Sequence, residues 1–501
     1  MRAQEYSLVN TLEKLKDFFW PIHKNELPKF IPMAALMFSV LFNQNILRIL
    51  KDSIIIPEIS AEVTSFAKVY CVTPAAAMFV VIYTKMVNHL EFDRIYYYLL
   101  SFFISYFLIF AIIIYPNVEY FHMDVEYANS LMNNHPHFKW YIAIGAYWSY
   151  IIFYVLAELW PNIFYILLFW QFANEITTTE EAKRFYTHFA LIGNASLILV
   201  GIVMMNIASE NSFLKKYFSE ARDNVLLVQS SIIMVSLFAM LSATLIKYMY
   251  KNIIVDPAFY RKAKERKGTK EKLGLIDSFK YIVGSKYLWL MLICSAAFGL
   301  SMNLVEAVWK DRIKELYPSV NQYAQFNGLF ILWTGFAIIF MTLIGNNIMR
   351  RKSWFVAAVV TPIVIMITGS AFFFLVVFDQ KIRDFSGALI IMSPLALAVF
   401  IGAIQNVLAK GSKYSIWDTS REMLYIPLDN ELKTKGKAAV DVISSKVGKS
   451  SSGLIQSVIF TLIPSATYLS ISPILMLVFI LVCIIWIYAV HKIYNEYKKI
   501  I

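Results

Sequence analysis

Apolar residues in this chain come in runs of about 20, the length that crosses a bilayer core of roughly 30 Å. Twelve such runs predict helices over 30–56, 63–87, 95–115, 141–173, 184–207, 224–250, 286–310, 323–347, 353–377, 386–409, 442–465 and 473–493. In the fourth, Pro161 lacks the N–H that a continuous helix needs, so a break is expected there. The most basic connection, "KNIIVDPAFYRKAKERKGTKEKLGLIDSFK", separates the sixth helix from the seventh. The pattern predicts an all-α polytopic membrane protein, its twelve transmembrane helices arranged as two six-helix halves. Its parts are an N-terminal segment over 1–29, a first half over 30–250, a basic linker over 251–285 and a second half over 286–501. Major-facilitator-like transporters share this plan and place their site between the halves.

Composition agrees. Only 16% of the 501 residues are charged and 58% are hydrophobic, whereas soluble domains carry about 25% charged residues. An even helix count puts both termini on one side. Loops on that side hold roughly 25 Lys and Arg against roughly 8 opposite, which marks it as cytoplasmic. The same rule accounts for most of the net charge of +12. Charges precede the first apolar run, unlike a signal peptide. Cys71, Cys294 and Cys483 are far apart in apolar runs, and the seven histidines are scattered. Neither set has metal-ligand or disulfide spacing, so no metal and no cofactor are expected.

The informative residues are charges in places that should be apolar. A charge at the bilayer centre costs a few kcal/mol or more and survives mainly where it faces protein or water. In the first helix Gln44, Arg48, Lys51 and Asp52 share one face at i, i+4, i+7 and i+8. An internal Arg48–Asp52 pair would leave Lys51 as a surplus cation; snorkelling would remove Lys51 only if the helix ended early. Glu158 in "VLAELWPNIFYILLFWQFANEI" is too deep to snorkel. In "GLSMNLVEAVWKDRIKELYP", Asn303, Glu306 and Lys310 follow at one-turn steps, with Glu306 placed near the predicted helix end. The stretch "NILRILKD" at 45–52 also echoes "NLVEAVWKD" at 303–311, so that Arg48 aligns with Glu306 and Lys51-Asp52 with Lys310-Asp311.

Residues 410–453 are polar yet keep helical spacing toward the eleventh helix, where Lys446 and Lys449 are i, i+3. "GKS" there is not a phosphate-binding P-loop, because the glycine required five residues earlier is Ile443. Small residues around Lys449 instead permit close helix approach and space for a ligand. The alternative is a lysine that merely marks the cytoplasmic end. Together, cations Arg48, Lys51, Lys446 and Lys449 and carboxylates Glu158 and Glu306 suit a cavity for a multiply charged anion.

The same residues lie in stretches that resemble the nucleotide transporters of plastids and obligate intracellular bacteria, the rickettsial and chlamydial ATP/ADP translocases. The likeness runs nearly end to end. It is carried by "LRILKDSI" (47–54), "AELWPNIFYILLFWQFANEITTTEEAKRFY" (157–186), "NLVEAVWKDRIKELYP" (303–318), "KYSIWDTSREMLYIPLD" (413–429) and "KGKAAVDVISSKVGKSSSG" (435–453). The resemblance implies counter-exchange of nucleotides across the inner membrane, with Lys51, Glu158, Glu306 and Lys449 in the family's four transport-critical charged positions. Arg421 replaces the family's lysine before "EM", and Ser451 and Ser452 replace its glycines after "GKS". These departures bear on the substrate, and the sequence as a whole resembles a guanine-nucleotide paralogue more than the ATP/ADP archetype.

The expectation is therefore a monomeric carrier in the bacterial inner membrane, not an enzyme, exchanging nucleoside triphosphate for diphosphate by alternating access. Lys51 and Lys449, helped by Arg48 and Lys446, would bind phosphates; Glu158, Glu306 and Asp52 would pair with these cations between turnovers. Its partners would be nucleotides and the lipid bilayer, not nucleic acid. A proton-coupled carrier of another organic anion, with Glu158 as proton carrier, is the competing expectation. A membrane-embedded transferase lacks a catalytic cluster.

Overall fold

The computed structural model of the chain describes residues 20–218, 222–255, 284–351, 353–386, 392–428 and 437–500; side chains at 342–351, and most between 437 and 450, are outside that description. The long helices are α1 (Leu27–Glu58), α2 (Val63–His89), α3 (Phe92–Phe121), α4 (Trp148–Ile176), α5 (Thr179–Ala208) and α6 (Asp223–Asn252). After the linker come α7 (Lys286–Leu316), α8 (Val320–Arg351), α9 (Trp354–Val377), α10 (Pro394–Met423), α11 (Lys437–Leu462) and α12 (Tyr468–Ile500). Among the described residues eleven of these are long and apolar enough to cross a membrane; in α11 the apolar part, Ser451–Leu462, is shorter. Most of the N-terminal segment and of the basic linker lies outside the described residues.

Local chemistry explains where helices start and where the expected boundaries shift. α5 opens on a capping box: the Glu181 backbone N–H donates to Thr178 Oγ1 and the Thr178 N–H donates to the Glu181 carboxylate. The tenth helix does not run over 386–409. Ser393 caps it and Pro394 begins it, since a proline disfavours helical backbone before it and suits the first helical turn. It then continues through "KYSIWDTSREM" to Met423, so part of the polar stretch after 410 is membrane helix. Lys413 is tolerated there because it pairs with Asp418 at 2.8 Å. At Pro161 the fourth helix bends without stopping: Pro161–Phe169 adopts wider π-type turns, and the Asn162 side-chain amide donates to the Glu158 carbonyl at 3.3 Å.

We refer to the side where α1 starts and α12 ends as the terminal face, and to the other as the far face. α1 is central and almost wholly buried, with α5, α6 and α4 around it. α7 holds the matching place among α10, α11 and α12. Glycines set the closest approaches. A Cβ at Gly201 would lie 2.6 Å from Leu332 Cβ and 2.8 Å from the Gly328 carbonyl, so α5 and α8 touch backbone to backbone. Gly299 and Gly448 do the same for α7 and α11, a Cβ on either meeting the other's Cα at 3.1 Å.

Candidate functional site

The charged face of α1 and the charged face of α7 meet at the centre of the molecule. Lys51 Nζ lies 2.8 Å from Asp52 Oδ1 and 2.8 Å from Glu158 Oε1 of α4. Lys310 Nζ takes the other Asp52 oxygen at 2.9 Å and also reaches Glu306 Oε1 at 3.2 Å. Arg48 Nη2 completes the chain at 3.6 Å from Glu306. The result is a ladder, Glu158–Lys51–Asp52–Lys310–Glu306–Arg48, three cations alternating with three carboxylates. The Lys51 ammonium also sits 4.5 Å above the Tyr154 ring.

The echo between residues 45–52 and 303–311 has a physical meaning here: its aligned charges contact one another. Arg48 pairs with its counterpart Glu306, and Lys51-Asp52 joins Lys310. Asp311 instead bonds Arg312. Two sequence expectations need correcting. α7 runs to Leu316, so Glu306 is not at a helix end; α1 runs to Glu58, so Lys51 has no interface to snorkel to and is 5% exposed. Arg48 pairs with Glu306 and Asp52 with Lys51 and Lys310, in place of an Arg48–Asp52 pair.

Burial is graded along the ladder. Asp52 and Lys310 are 6% and 9% exposed, whereas Glu158 reaches 28% and Arg48 36%. On the terminal side of the ladder Asn162, one turn beyond Glu158, is exposed, as is Tyr414 on α10. Toward the far face, hydrogen bonds close the centre on the side of α2, α11 and α12, while a cavity of about 1000 Å³ lies between the far ends of α1, α5 and α7 and the start of α8. Ser65 Oγ of α2 donates to Gln456 Oε1 of α11 at 2.6 Å and lies 2.7 Å from the Tyr468 hydroxyl of α12. Lys314 Nζ donates to the Ile59 carbonyl at 3.1 Å, and the Tyr468 N–H points at Glu62 Oε1 at 3.4 Å. Glu62 sits in the turn between α1 and α2, where burial, with Asp311 nearby, holds its carboxyl above the usual carboxylate range.

Of the predicted site residues, Arg48, Lys51, Asp52, Glu158 and Glu306 are brought together. Lys446 and Lys449 belong to α11, but their side chains lie outside the described residues. Sequence reasoning missed two cations beside the ladder, Lys68 and Lys410, and gave Lys310 no role. Lys68 of α2 lines a small polar pocket with Thr64, Ser65, Asn303, Glu306 and Lys310. Lys410 of α10 lies 4.8 Å above the Phe330 ring. A lone lysine inside "SFAKVYCV" and another in "NVLAKGSKY" were the available signals. Among the described residues no metal-holding cluster of His, Cys, Asp or Glu occurs.

Comparison with known proteins gives a consistent result. A family model described as TLC ATP/ADP transporter matches residues 6–497. The chain is 65% identical over 487 residues to ADP,ATP carrier protein 5 of Rickettsia bellii, covering 97% of each chain. It is 40% identical over 494 residues to ADP,ATP carrier protein 3 of Rickettsia conorii, covering 97% of this chain and 98% of that one. Among solved structures it is similar to a bacterial homologue of the iron transporter ferroportin in an inward-facing state. That match has a TM-score of 0.58 at 12% identity and covers 94% of this chain and 99% of the other. At such identity the likeness speaks for the fold alone, which is major-facilitator-like.

Proposed function

Because this chain belongs to the TLC ATP/ADP transporter family, a family of nucleotide exchangers, we propose that it swaps a purine nucleoside triphosphate for the diphosphate across the bacterial inner membrane. The observation that carries this assignment is the ladder of ion pairs joining the two sets of helices at the molecule's centre. We place both termini in the cytoplasm; the exposure of Asn162 and Tyr414 on that side supports reading this arrangement as inward-facing.

The two six-helix halves rock about the α5–α8 contact. With the far-face hydrogen bonds and the ladder closed, no anion is needed at the centre. A nucleotide entering from the terminal side offers phosphate oxygens to Arg48 and Lys51, in competition with Glu306 and Glu158. Lys446 and Lys449 contribute further positive charge from α11. When the carboxylates give up these cations, the bonds between α1, α4 and α7 loosen and the halves can reorient. On release the ladder re-forms, and Asp52, held by two lysines, anchors it. The protein works as a monomeric carrier rather than an enzyme, and it binds nucleotides and lipid.

The base is set elsewhere than in the ladder. The names of the relatives favour adenine; the sequence's resemblance to a guanine-nucleotide paralogue favours guanine. Uptake of labelled ATP and, separately, GTP into proteoliposomes decides both questions. Uptake that requires preloaded diphosphate supports exchange and identifies the base. Uptake of neither, with acceptance of another anion driven by a proton gradient, would replace this function by proton-coupled transport through Glu158.

A further inference from the structure

We propose that Lys68 and Lys410 are the pair that receives the phosphate chain, one lysine closing on it from each set of helices. The assignment rests on nucleotide exchange being the function.

Each cation of the ladder already has a carboxylate: Arg48 has Glu306, Lys51 has Asp52 and Glu158, and Lys310 has Asp52 and Glu306. Using one of them for a phosphate means breaking a buried pair and leaving a carboxylate uncompensated beside an incoming anion. Lys68 and Lys410 carry no such obligation, since neither makes an ion pair with a described residue. Yet both face the same centre. Glu306 lies within the fields of Lys310, Lys410, Arg48 and Lys68 together.

Their surroundings differ from those of ordinary membrane lysines. Around Lys68 the pocket offers phosphate oxygens the Ser452 hydroxyl and the second amide N–H of Asn303 and of Gln456; Thr64 and Ser65 also line it, their hydroxyls already donating to the Ala61 carbonyl and to Gln456. Lys410 comes from the opposite set, its ammonium over Phe330. Counting Arg48, Lys51, Lys68, Lys310 and Lys410 against Asp52, Glu158 and Glu306 gives five cations to three carboxylates, a surplus of two. Among the described residues that surplus is carried by Lys68 and Lys410, and it suits what separates a nucleotide from a nucleoside: the phosphates.

The ladder and the lysine pair then have separate tasks. Lys68 and Lys410 attract the phosphate chain while the ladder is still closed. The chain so held next opens the ladder by competing for Arg48 and Lys51. Ser65 and Gln456 line the Lys68 pocket and also form the far-face seal, so phosphate bound there touches the groups that must part when that face opens.

The test is competition in proteoliposomes. Mono-, di- and triphosphates of the preferred base compete with labelled nucleotide on the wild type and on Lys68→Gln, Lys410→Gln, Lys68→Arg and Lys410→Arg. In the wild type, affinity is expected to rise steeply with phosphate number. Each Gln variant should weaken the triphosphate by about tenfold or more while changing the monophosphate much less, so the spread collapses. The Arg variants should restore it. Gln variants that keep the wild-type spread overturn the assignment while leaving exchange intact, and so does an equal weakening of all three competitors. Wild-type vesicles that take up no nucleotide overturn the exchange function, and this inference with it. Variants that fail to fold are recognised by size-exclusion chromatography, and for those the Arg variant, with charge kept and shape altered, carries the comparison.

Discussion

Between α5 and α8 the two sets of helices meet backbone to backbone, whereas between α1 and α7 they meet through charges. At the first contact Gly201 and Gly328 leave no room for a side chain, and the interface is a matter of shape. Such a contact tolerates a small rotation but not separation, because dispersion between closely packed atoms falls off within an ångström. At the second contact the bond is electrostatic, and an anion can take it apart. A pivot is best built the first way and a ligand-sensitive latch the second. On the proposed mechanism the α5–α8 contact is the pivot and the α1–α7 ladder the latch, on different helices, so each can be changed without the other.

The largest effect is expected from the latch. Lys51→Ala leaves Asp52 and Glu158 short of a buried cation, a loss worth about 3–5 kcal/mol. To the extent that this loss falls on the reorienting step, where about 1.4 kcal/mol is tenfold, exchange in proteoliposomes should fall by about a hundredfold or more. Retention of normal exchange would remove Lys51 from the mechanism. Glu306→Gln sharpens the contrast in a different way. It frees Arg48 for phosphate and leaves Lys310 with Asp52 alone, so KM should fall while kcat falls by about tenfold, because release slows. A rise in KM would contradict the competition between carboxylate and phosphate.

The pivot should answer in stability. Gly201→Ala pushes a methyl against Leu332 and the Gly328 carbonyl, an overpacking cost of about 1–3 kcal/mol. A lower melting temperature in detergent, with KM unchanged, is the expected result; a changed KM with no loss of stability would blur the division between pivot and latch.

How much of this was legible in the sequence depended on the range of the interaction. Helix positions followed from apolar run length, and depth alone marked Glu158, since nothing else explains a carboxylate amid "YVLAELWPNIF". The pairing could not be read. Asp52 lies next to Lys51 in the chain, yet its second partner is Lys310, 258 residues on. Lys68 and Lys410 passed unnoticed because one cation in an apolar run gives no pattern; only the fold shows both beside Glu306. The start of α10 was misplaced because hydropathy outweighed the Ser393–Pro394 signal, which is local and strong.

The smallest effect concerns neither contact and serves as a control. His122 lies on the far face between α3 and α4, its Nε2 2.6 Å from Ser149 Oγ, and burial pushes its pKa down to about 4. The folded protein therefore binds this proton less readily than the unfolded chain, whose histidine titrates near 6.5. Stability contributed here is complete above about pH 6.5 and fades as pH falls toward 4. His122→Gln should flatten that slope in thermal unfolding while leaving exchange at neutral pH unaltered. An unchanged slope would assign the acid sensitivity to other groups.

The alternation of charges in the ladder has an electrical consequence. Three cations and three carboxylates sum to zero, so moving the ladder through the membrane potential does no net work. Each uncompensated elementary charge crossing 100 mV is worth about 2.3 kcal/mol. Voltage therefore acts on the cargo and on the lysines that stand outside the ladder. A one-for-one swap of a triphosphate for a diphosphate, with no other ion carried, moves about one net charge, and on that stoichiometry the membrane potential gives the exchange a preferred direction.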